Sequence, residues 1–126
     1  MRGRVLLIDD NVNLTTLTSR ALSKAGYEVY VENDALQAMN TLRRVRPEVI
    51  VLDMMMPGRD GADILAEIRA DRILHPMPVV VLTALAKEAA HMSRLGGVDS
   101  PVLGKPVELR VLIGEIDRQL GVGRAA

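Results

Sequence analysis

Short apolar runs alternate along the chain with segments in which apolar residues recur every three or four positions. Three of the runs are apolar at every position, which is typical of strands covered on both faces. A shorter β-branched run lies between the first and second of these. The four predicted strands are Val5-Leu6-Leu7-Ile8, Val29-Tyr30-Val31, Val49-Ile50-Val51-Leu52 and Val79-Val80-Val81-Leu82.

The intervening segments have helical periodicity. The inward positions predicted for four helices are Leu14, Leu17, Ala21 and Leu22; Leu36, Met39 and Leu42; Ile64, Leu65 and Ile68; and Leu109, Leu112, Ile113 and Ile116. The first of these helices should end before Gly26, a typical C′ glycine, and Asp60 should cap the third helix of the chain. A weaker helix is predicted over residues 86–95, and the last over residues 107–120.

A fifth, poorer strand is predicted in "DSPVLGKP", where Pro101 confines it to a sheet edge. Five alternations of strand and helix predict an α/β fold with a parallel sheet covered by helices on both faces. Right-handed crossovers then favour a flavodoxin-like, doubly wound sheet of order 2-1-3-4-5 with five helices.

Composition excludes several classes of protein but does not indicate a function. The 126 residues suit one domain, and the formal net charge of zero predicts no direct nucleic-acid or membrane partner. The chain has no cysteine, which excludes thiolate metal sites, and no window reaches the roughly 18 apolar residues of a membrane span. We expect a cytoplasmic protein.

Carboxylates follow two strands that should be neighbours. Asp9 and Asp10 come after the first strand and Asp53 after the third, so the assumed strand order brings all three to the carboxyl edge of the sheet. Three carboxylates in one place repel one another and require a cation. A site with only oxygen ligands indicates Mg²⁺.

The next two strands should add a hydroxyl and an ammonium group to the same edge. Thr83 ends the fourth strand and Lys105 the fifth, and together they suit the oxygens of a transferred phosphoryl group. Asp53 would be the nucleophile. Taken singly, Asp10 or Asn11 could be only the cap of the first helix, Thr83 a strand-end hydroxyl and Lys105 a surface lysine.

These motifs resemble the response-regulator receiver domain of two-component signalling, over residues 4–120. The matching residues are Asp9-Asp10, Asp53 followed by Met56-Pro57 and Asp60-Gly61, Thr83-Ala84 and Lys105-Pro106. The resemblance implies that Asp53 takes a phosphoryl group from the phosphohistidine of a histidine kinase or a histidine phosphotransfer protein. It also implies that Asp10, Asp53 and the backbone carbonyl of Met55 hold Mg²⁺, with Asp9 assisting through water. Thr83 and Lys105 would bind the phosphoryl oxygens, and the Lys105-Pro106 bond would be cis.

Three positions bear on signal output and on phosphoryl lifetime. Receivers of this kind usually carry an aromatic residue three positions before the lysine, where this chain has Val102. We therefore expect phosphorylation to occur but to change the output surface less than in aromatic-bearing receivers. Met55 and Leu85 flank the site and offer an attacking water no polar partner, which predicts slow autodephosphorylation.

Alternative functions remain open from the sequence alone. The main one is a phosphorylation-independent interaction module of the same fold, which Val102 favours and the acidic set disfavours. A magnesium-dependent phosphatase is a weaker candidate because Met55 occupies the place of a second carboxylate. We expect a signalling domain over residues 1–120, not an enzyme, with a tail or linker at 121–126 and a downstream protein partner or output domain.

Overall fold

The computed structural model describes residues 2–84 and 100–121. Its strands are β1 (Gly3–Ile8), β2 (Tyr27–Glu32), β3 (Val49–Asp53), β4 (Val79–Thr83) and β5 (Val102–Gly104). Its helices are α1 (Val12–Lys24), α2 (Ala38–Val45, preceded by a 3₁₀ turn at Ala35–Gln37), α3 (Gly61–Ala70) and α4 (Leu109–Leu120). The helix predicted over residues 86–95 and the flanking Leu85 lie outside the described residues.

All five strands form one parallel sheet of order β2-β1-β3-β4-β5, as predicted. The register pairs Ile8 with Leu52, and Thr83 with Gly104. These pairs bring the last residues of four strands to one edge. The carboxyl edge of the sheet is therefore where the ends of β1, β3, β4 and β5 meet.

Each face of the sheet carries its own apolar core, because successive strand residues point to opposite faces. One core joins Leu6, Ile50 and their same-face neighbours to α2 and α3. The other joins Val5, Val51 and their neighbours to α1 and α4. The fully apolar runs of β1, β3 and β4 are thus explained by burial on both sides.

The predicted inward face of α1 was partly wrong. Leu17 is exposed, whereas Thr15 and Thr18 are buried together with Leu22. The buried stripe is rotated by one residue from the predicted one and contains two threonines in place of aliphatic residues. The Thr15 hydroxyl meanwhile donates to the backbone carbonyls of Asn11 and Val12, so its polar atom is satisfied.

Two further inward positions were wrong, both at helix starts. Leu36 is exposed in the 3₁₀ turn that precedes α2, where Ala35 takes the buried position, whereas Met39 and Leu42 are buried as expected. The last helix begins at Leu109, later than predicted, and Leu109 is also exposed. Leu112 and Ile116 are buried as expected.

Three local predictions are confirmed. Gly26 follows α1 with a φ of 100°, and Asp60 holds the N-cap position of α3 through its backbone, without a side-chain cap bond. The Lys105-Pro106 peptide bond is cis. None of the helices in the described part of the chain is long and apolar enough to cross a membrane.

Candidate phosphoacceptor and metal site

Three aspartates converge at the carboxyl edge of the sheet. Asp53 is the last residue of β3, and Asp9 and Asp10 directly follow the adjacent strand β1. One carboxylate oxygen from each lies within 4.8 Å of the others. Asp9 and Asp53 are only 5% and 4% exposed, whereas Asp10 is exposed. The site is a pair of buried carboxylates with a third at its solvent side.

Lys105 supplies the positive charge among these carboxylates. Its Nζ lies 2.8 Å from Oδ2 of Asp9 and 3.1 Å from Oδ1 of Asp53. Burial disfavours the ammonium form, but hydrogen bonds with both aspartates and their charges outweigh it and raise the pKa of Lys105. The lysine is therefore a fixed cation in the site, not a freely solvated surface group.

Burial and charge act in opposite directions on Asp53. Burial away from water, followed by repulsion from Asp9, raises the pKa of the Asp53 carboxyl, while Lys105 and the Met55 N–H lower it to a smaller extent. That N–H donates to Oδ1 of Asp53 at 3.5 Å. Burial is the largest cause of this net rise in pKa and the Asp9 charge adds to it, so that Lys105 and the Met55 N–H do not fully offset the two.

Thr83 and Lys105 are fixed relative to each other by backbone. Thr83 ends β4, is 1% exposed, and its carbonyl accepts the Lys105 N–H at 2.7 Å. This bond continues the pairing of β4 with β5 beyond Gly104. The predicted set of Asp9, Asp10, Asp53, Thr83 and Lys105 is accordingly gathered at one edge.

A polar residue that the sequence interpretation missed holds the β1 end in place. The Asn33 side chain donates to the backbone carbonyl of Asp9 at 2.7 Å and to the Thr15 hydroxyl at 3.1 Å. Asn33 directly follows β2, the neighbour of β1, so its position after a strand end was an available signal. Asn11, not Asp10, caps α1 by accepting the Leu14 N–H, and its own N–H donates to Asp9.

Gly61 has a steric role that the sequence motif alone does not reveal. Its N–H donates to the carbonyl of Met54 at 2.9 Å, which closes the loop between β3 and α3. A Cβ at this position would lie 2.7 Å from Cα of Met54 and would also overlap the carbonyl oxygen of Asp53. Only glycine lets α3 begin this close to the end of β3.

The donor set is suited to a hard divalent cation. Asp9, Asp10 and Asp53 offer carboxylate oxygens alone, and such oxygens are the ligands that Mg²⁺ prefers. Met55 lies exposed in the loop after Asp53, where its backbone approaches the same carboxylate. Of the three methionines in this loop, Met54 and Met56 are buried in the core.

A 2-1-3-4-5 parallel sheet with an acidic pocket and a lysine at its carboxyl edge defines the class of phosphoacceptor signalling domains. The family model of the response regulator receiver domain matches residues 5–117. The chain belongs to this family, and it is a receiver domain of two-component response regulators. The resemblance inferred from the sequence is confirmed.

Similar proteins agree with this assignment. The chain is 31% identical over 121 residues to the DNA-binding response regulator MtrA of Mycolicibacterium paratuberculosis, covering 95% of this chain and 52% of that protein. It is 40% identical over 110 residues to protein-glutamate methylesterase/protein-glutamine glutaminase 1 of Anaeromyxobacter dehalogenans, covering 84% of this chain and 30% of that protein. This chain thus spans about half of the first relative and less of the second.

A solved structure shows the same fold. It is the signal receiver domain of a signal transduction histidine kinase from Syntrophus aciditrophicus, with a TM-score of 0.84 and 26% identity. The match covers 98% of this chain and 95% of that one. The sheet order is therefore that of the receiver fold.

Proposed function

We propose that Asp53 accepts a phosphoryl group from the phosphohistidine of a histidine kinase or a histidine phosphotransfer protein, and that this switches a partner-binding surface. The observation that carries the proposal is the contact between Oδ1 of Asp53 and the Lys105 ammonium at 3.1 Å, beside the carboxylates of Asp9 and Asp10. A buried carboxylate beside a fixed cation and two further carboxylates is suited to nucleophilic attack on phosphorus.

The chemistry assigns each group a role. An Asp53 oxygen attacks phosphorus, a P–O bond forms as the P–N bond of the donor breaks, and the imidazole leaves with its electron pair. Lys105 then turns from the Asp53 carboxylate to the phosphoryl oxygens, which carry more negative charge than the carboxylate did. Thr83, at the end of the neighbouring strand, would donate its hydroxyl to the same group.

Asp9, Asp10 and Asp53, with the backbone carbonyl of Met55, would hold Mg²⁺. The bound ion would mask charge on the phosphoryl oxygens and align them with the nucleophile. A cation site here is supported by the cluster of three carboxylates and by the Asp9 charge, which adds to burial in raising the pKa of Asp53.

The surroundings of the site support a protein as the phosphoryl donor. Val12 begins α1 just after the acidic pair, Met55 follows Asp53, and both are exposed. The exposed Leu36 side chain lies against Gly58 in the loop that follows β3. An acidic centre with apolar side chains around it offers a docking protein apolar area to bury, which a small anionic donor could not use.

Intact mass spectrometry after incubation with acetyl phosphate and Mg²⁺ tests the proposal. We expect one added phosphoryl group in the wild-type chain and in Asp63→Asn, an exposed aspartate on α3 that serves as the matched control. Asp53→Asn and a chelator should each abolish it. If the adduct forms on Asp53→Asn, the acceptor assignment is wrong. If no adduct forms and titration shows no Mg²⁺ site, the phosphorylation-independent module becomes the better explanation.

The lifetime of the acyl phosphate gives a separate test. The exposed Met55 side chain offers no hydrogen bond to a water attacking the phosphoryl group, so we propose slow autodephosphorylation. Met55→Asn should shorten the lifetime, and Met54→Leu, a buried neighbour, should not. Rapid decay in the wild-type chain that Met55→Asn leaves unchanged would contradict this proposal.

The domain limits and the output are also proposals. We place the receiver domain at residues 1–120, supported by the end of α4 at Leu120 and the left-handed conformation of Gly121 that follows. Output through a partner protein or a further domain is supported by the length of the relatives, one of which is a DNA-binding response regulator.

A further inference from the structure

A groove lies at the amino edge of the sheet, at the end of the molecule opposite the aspartates. One wall is the C-terminal end of α2, which leads into β3, and the other is the segment that leads from α3 into β4. The groove has a volume of about 450 Å³, within the range of ligand-binding clefts. Its lining residues are Arg43, Arg46, Asp71, Ile73, Leu74 and Met77.

Arg46 adopts a backbone conformation that ordinarily favours glycine. It ends α2 with φ 52° and ψ 62°, and no other non-glycine residue among those described has a positive φ. Glycine is usual at such a helix end because a Cβ atom strains this conformation, and asparagine is the common exception because its side chain hydrogen-bonds locally. The Arg4 guanidinium holds the turn by donating to the carbonyls of Val45 and Arg46. A strained backbone at a residue with a long charged side chain is a reason to examine what that side chain can bind.

The charged side chains of the groove do not all have a partner of opposite charge. Arg43 donates to Oδ2 of Asp71 at 3.0 Å and is thereby compensated. The other carboxylate oxygen of Asp71, Oδ1, accepts hydrogen bonds from the backbone N–H groups of Ile73 and Leu74, at 2.8 and 2.9 Å. The Arg46 guanidinium has no hydrogen bond or ion pair with any residue in the described ranges 2–84 and 100–121. One positive charge is therefore available to a ligand.

Apolar side chains complete the surface. Ile73 is 84% exposed, the largest exposure of any large apolar residue in the described part of the chain. Leu74 is buried beneath it and Met77 is half-buried. A single exposed isoleucine is ordinary on a protein surface, but here it adjoins a concave apolar wall and an uncompensated guanidinium.

We propose that this groove binds an acidic peptide segment of a partner protein, with an apolar side chain against Ile73 and Met77 and a carboxylate on Arg46. A guanidinium favours a carboxylate through paired hydrogen bonds, and the apolar wall gives the adjacent side chain area to bury. A nucleic acid fits less well, because binding it relies on several phosphate contacts and the groove offers a single uncompensated guanidinium.

The probe is an acetylated and amidated hexapeptide of alternating leucine and glutamate, titrated into the ¹⁵N-labelled chain and followed by NMR. We expect saturable shifts of the Arg46, Ile73 and Leu74 amides. The same peptide with lysine in place of glutamate should leave them unchanged. A short DNA duplex is titrated in parallel as the probe for nucleic acid.

Arg46→Gly separates a binding role from a structural one. The glycine relieves the strained turn, so we expect stability equal to or above that of the wild-type chain, together with affinity for the glutamate peptide reduced at least about fivefold. Ile73→Ser should weaken binding similarly without unfolding the chain. Arg20→Gln removes the same charge from an exposed position on α1 and should bind as the wild type does.

The outcomes are distinct. Shifts confined to the groove and lost in both groove variants support the proposal. The absence of shifts at millimolar glutamate peptide, equal shifts with the lysine peptide, or unchanged affinity in Arg46→Gly would overturn it. Saturable binding of the duplex at these amides in place of the glutamate peptide would also overturn it and would assign the groove to nucleic acid.

Discussion

The two edges of the sheet place charge in opposite ways. At the carboxyl edge, Lys105 is held by the buried Asp9 and Asp53 and the carboxylates remain in excess. At the amino edge, Arg43 is compensated by Asp71, but the Arg46 guanidinium has no partner among the described residues. This difference indicates which ligand each edge favours. The uncompensated negative charge of the carboxyl edge favours a cation, and the uncompensated positive charge of the amino edge favours an anion. The difference also predicts unequal costs, because a buried charge without a partner is far less tolerable than an exposed one.

The largest effect is expected from Lys105→Met. The substitution keeps an apolar stem but leaves the buried carboxylates of Asp9 and Asp53 without a counter-charge, so the free energy of unfolding should fall by about 3 kcal/mol in metal-free buffer at neutral pH. Urea denaturation measures the loss. Lys24→Met, at the exposed end of α1, is the matched control and should stay within about 0.5 kcal/mol of the wild type.

Added Mg²⁺ sharpens this prediction. A ligand that binds only the folded state stabilises it, so the ion should restore part of the stability that Lys105→Met loses. Equal stability of the two lysine variants in metal-free buffer would show that the carboxylates do not depend on Lys105. The proposed difference between the two edges would then be wrong for the carboxyl edge, where the larger effect is expected.

Gly61→Ala should have the next largest effect. The added methyl group would meet the Met54 backbone at 2.7 Å and displace the end of β3, at a cost of about 2 kcal/mol in the free energy of unfolding. Transfer from acetyl phosphate should slow as well, because the displaced backbone carries Asp53. Gly114→Ala is the control, since nothing lies within 4 Å of its Cβ position and α4 should gain about 0.5 to 1 kcal/mol. Similar stability changes for both glycines would refute the steric explanation.

The sequence sufficed for much of the fold because the strand signals were strong. Runs such as Val49 to Leu52 are apolar at every position, and burial on both faces is the simplest physical cause. The errors fell where a helix starts or where threonine replaces an aliphatic residue, as at Leu36 and Thr18. At a helix start, the buried side depends on the geometry of the first turn. Along the helix, threonine can be buried although it is polar. The spacing of apolar residues predicts neither.

The candidate site was predictable where it depends on strand order. Asp9, Asp53 and Lys105 could be placed together because parallel strands end at a common edge. Asn33 could have been found, because it directly follows β2, the neighbour of β1. The role of Gly61 could not be predicted, because it depends on the distance between backbones after folding. The amino-edge groove likewise depends on a left-handed turn at Arg46 that no residue type in "RVRPE" would ordinarily predict.

A smaller, pH-dependent effect is expected from Asp71→Asn. Backbone N–H groups of Leu74 and Ile73, and then Arg43, hold the pKa of the Asp71 carboxyl below its usual range. A lowered pKa in the folded state contributes stability above the unfolded value of about 3.9, and that contribution disappears as pH falls through the folded value. The wild-type chain should thus melt at a higher temperature than Asp71→Asn at pH 7.

The difference in melting temperature should vanish under strongly acidic conditions and shrink in the Arg43→Gln background. Asparagine retains a carbonyl acceptor for the two N–H groups, so the comparison isolates the charge. High salt should also reduce it, because the Arg43–Asp71 pair is reached by solvent. A difference that persists at low pH would mean that geometry and not charge links Asp71 to its partners.

Val102→Tyr should change stability least and signal transmission most. Val102 lies in the edge strand β5, half-buried against the core that α2 and α3 cover, so we expect a change of about 0.5 kcal/mol or less in the free energy of unfolding. A tyrosine here gives the strand beside Lys105 a large side chain that can be buried or exposed. Phosphorylation should accordingly shift amide resonances of β5 and α4 further in this variant than in the wild type. Val111→Tyr, exposed on α4, is the control for an added ring. Equal shifts in Val102→Tyr and the wild type would mean that charge at the carboxyl edge reaches the surface without an aromatic residue at this position.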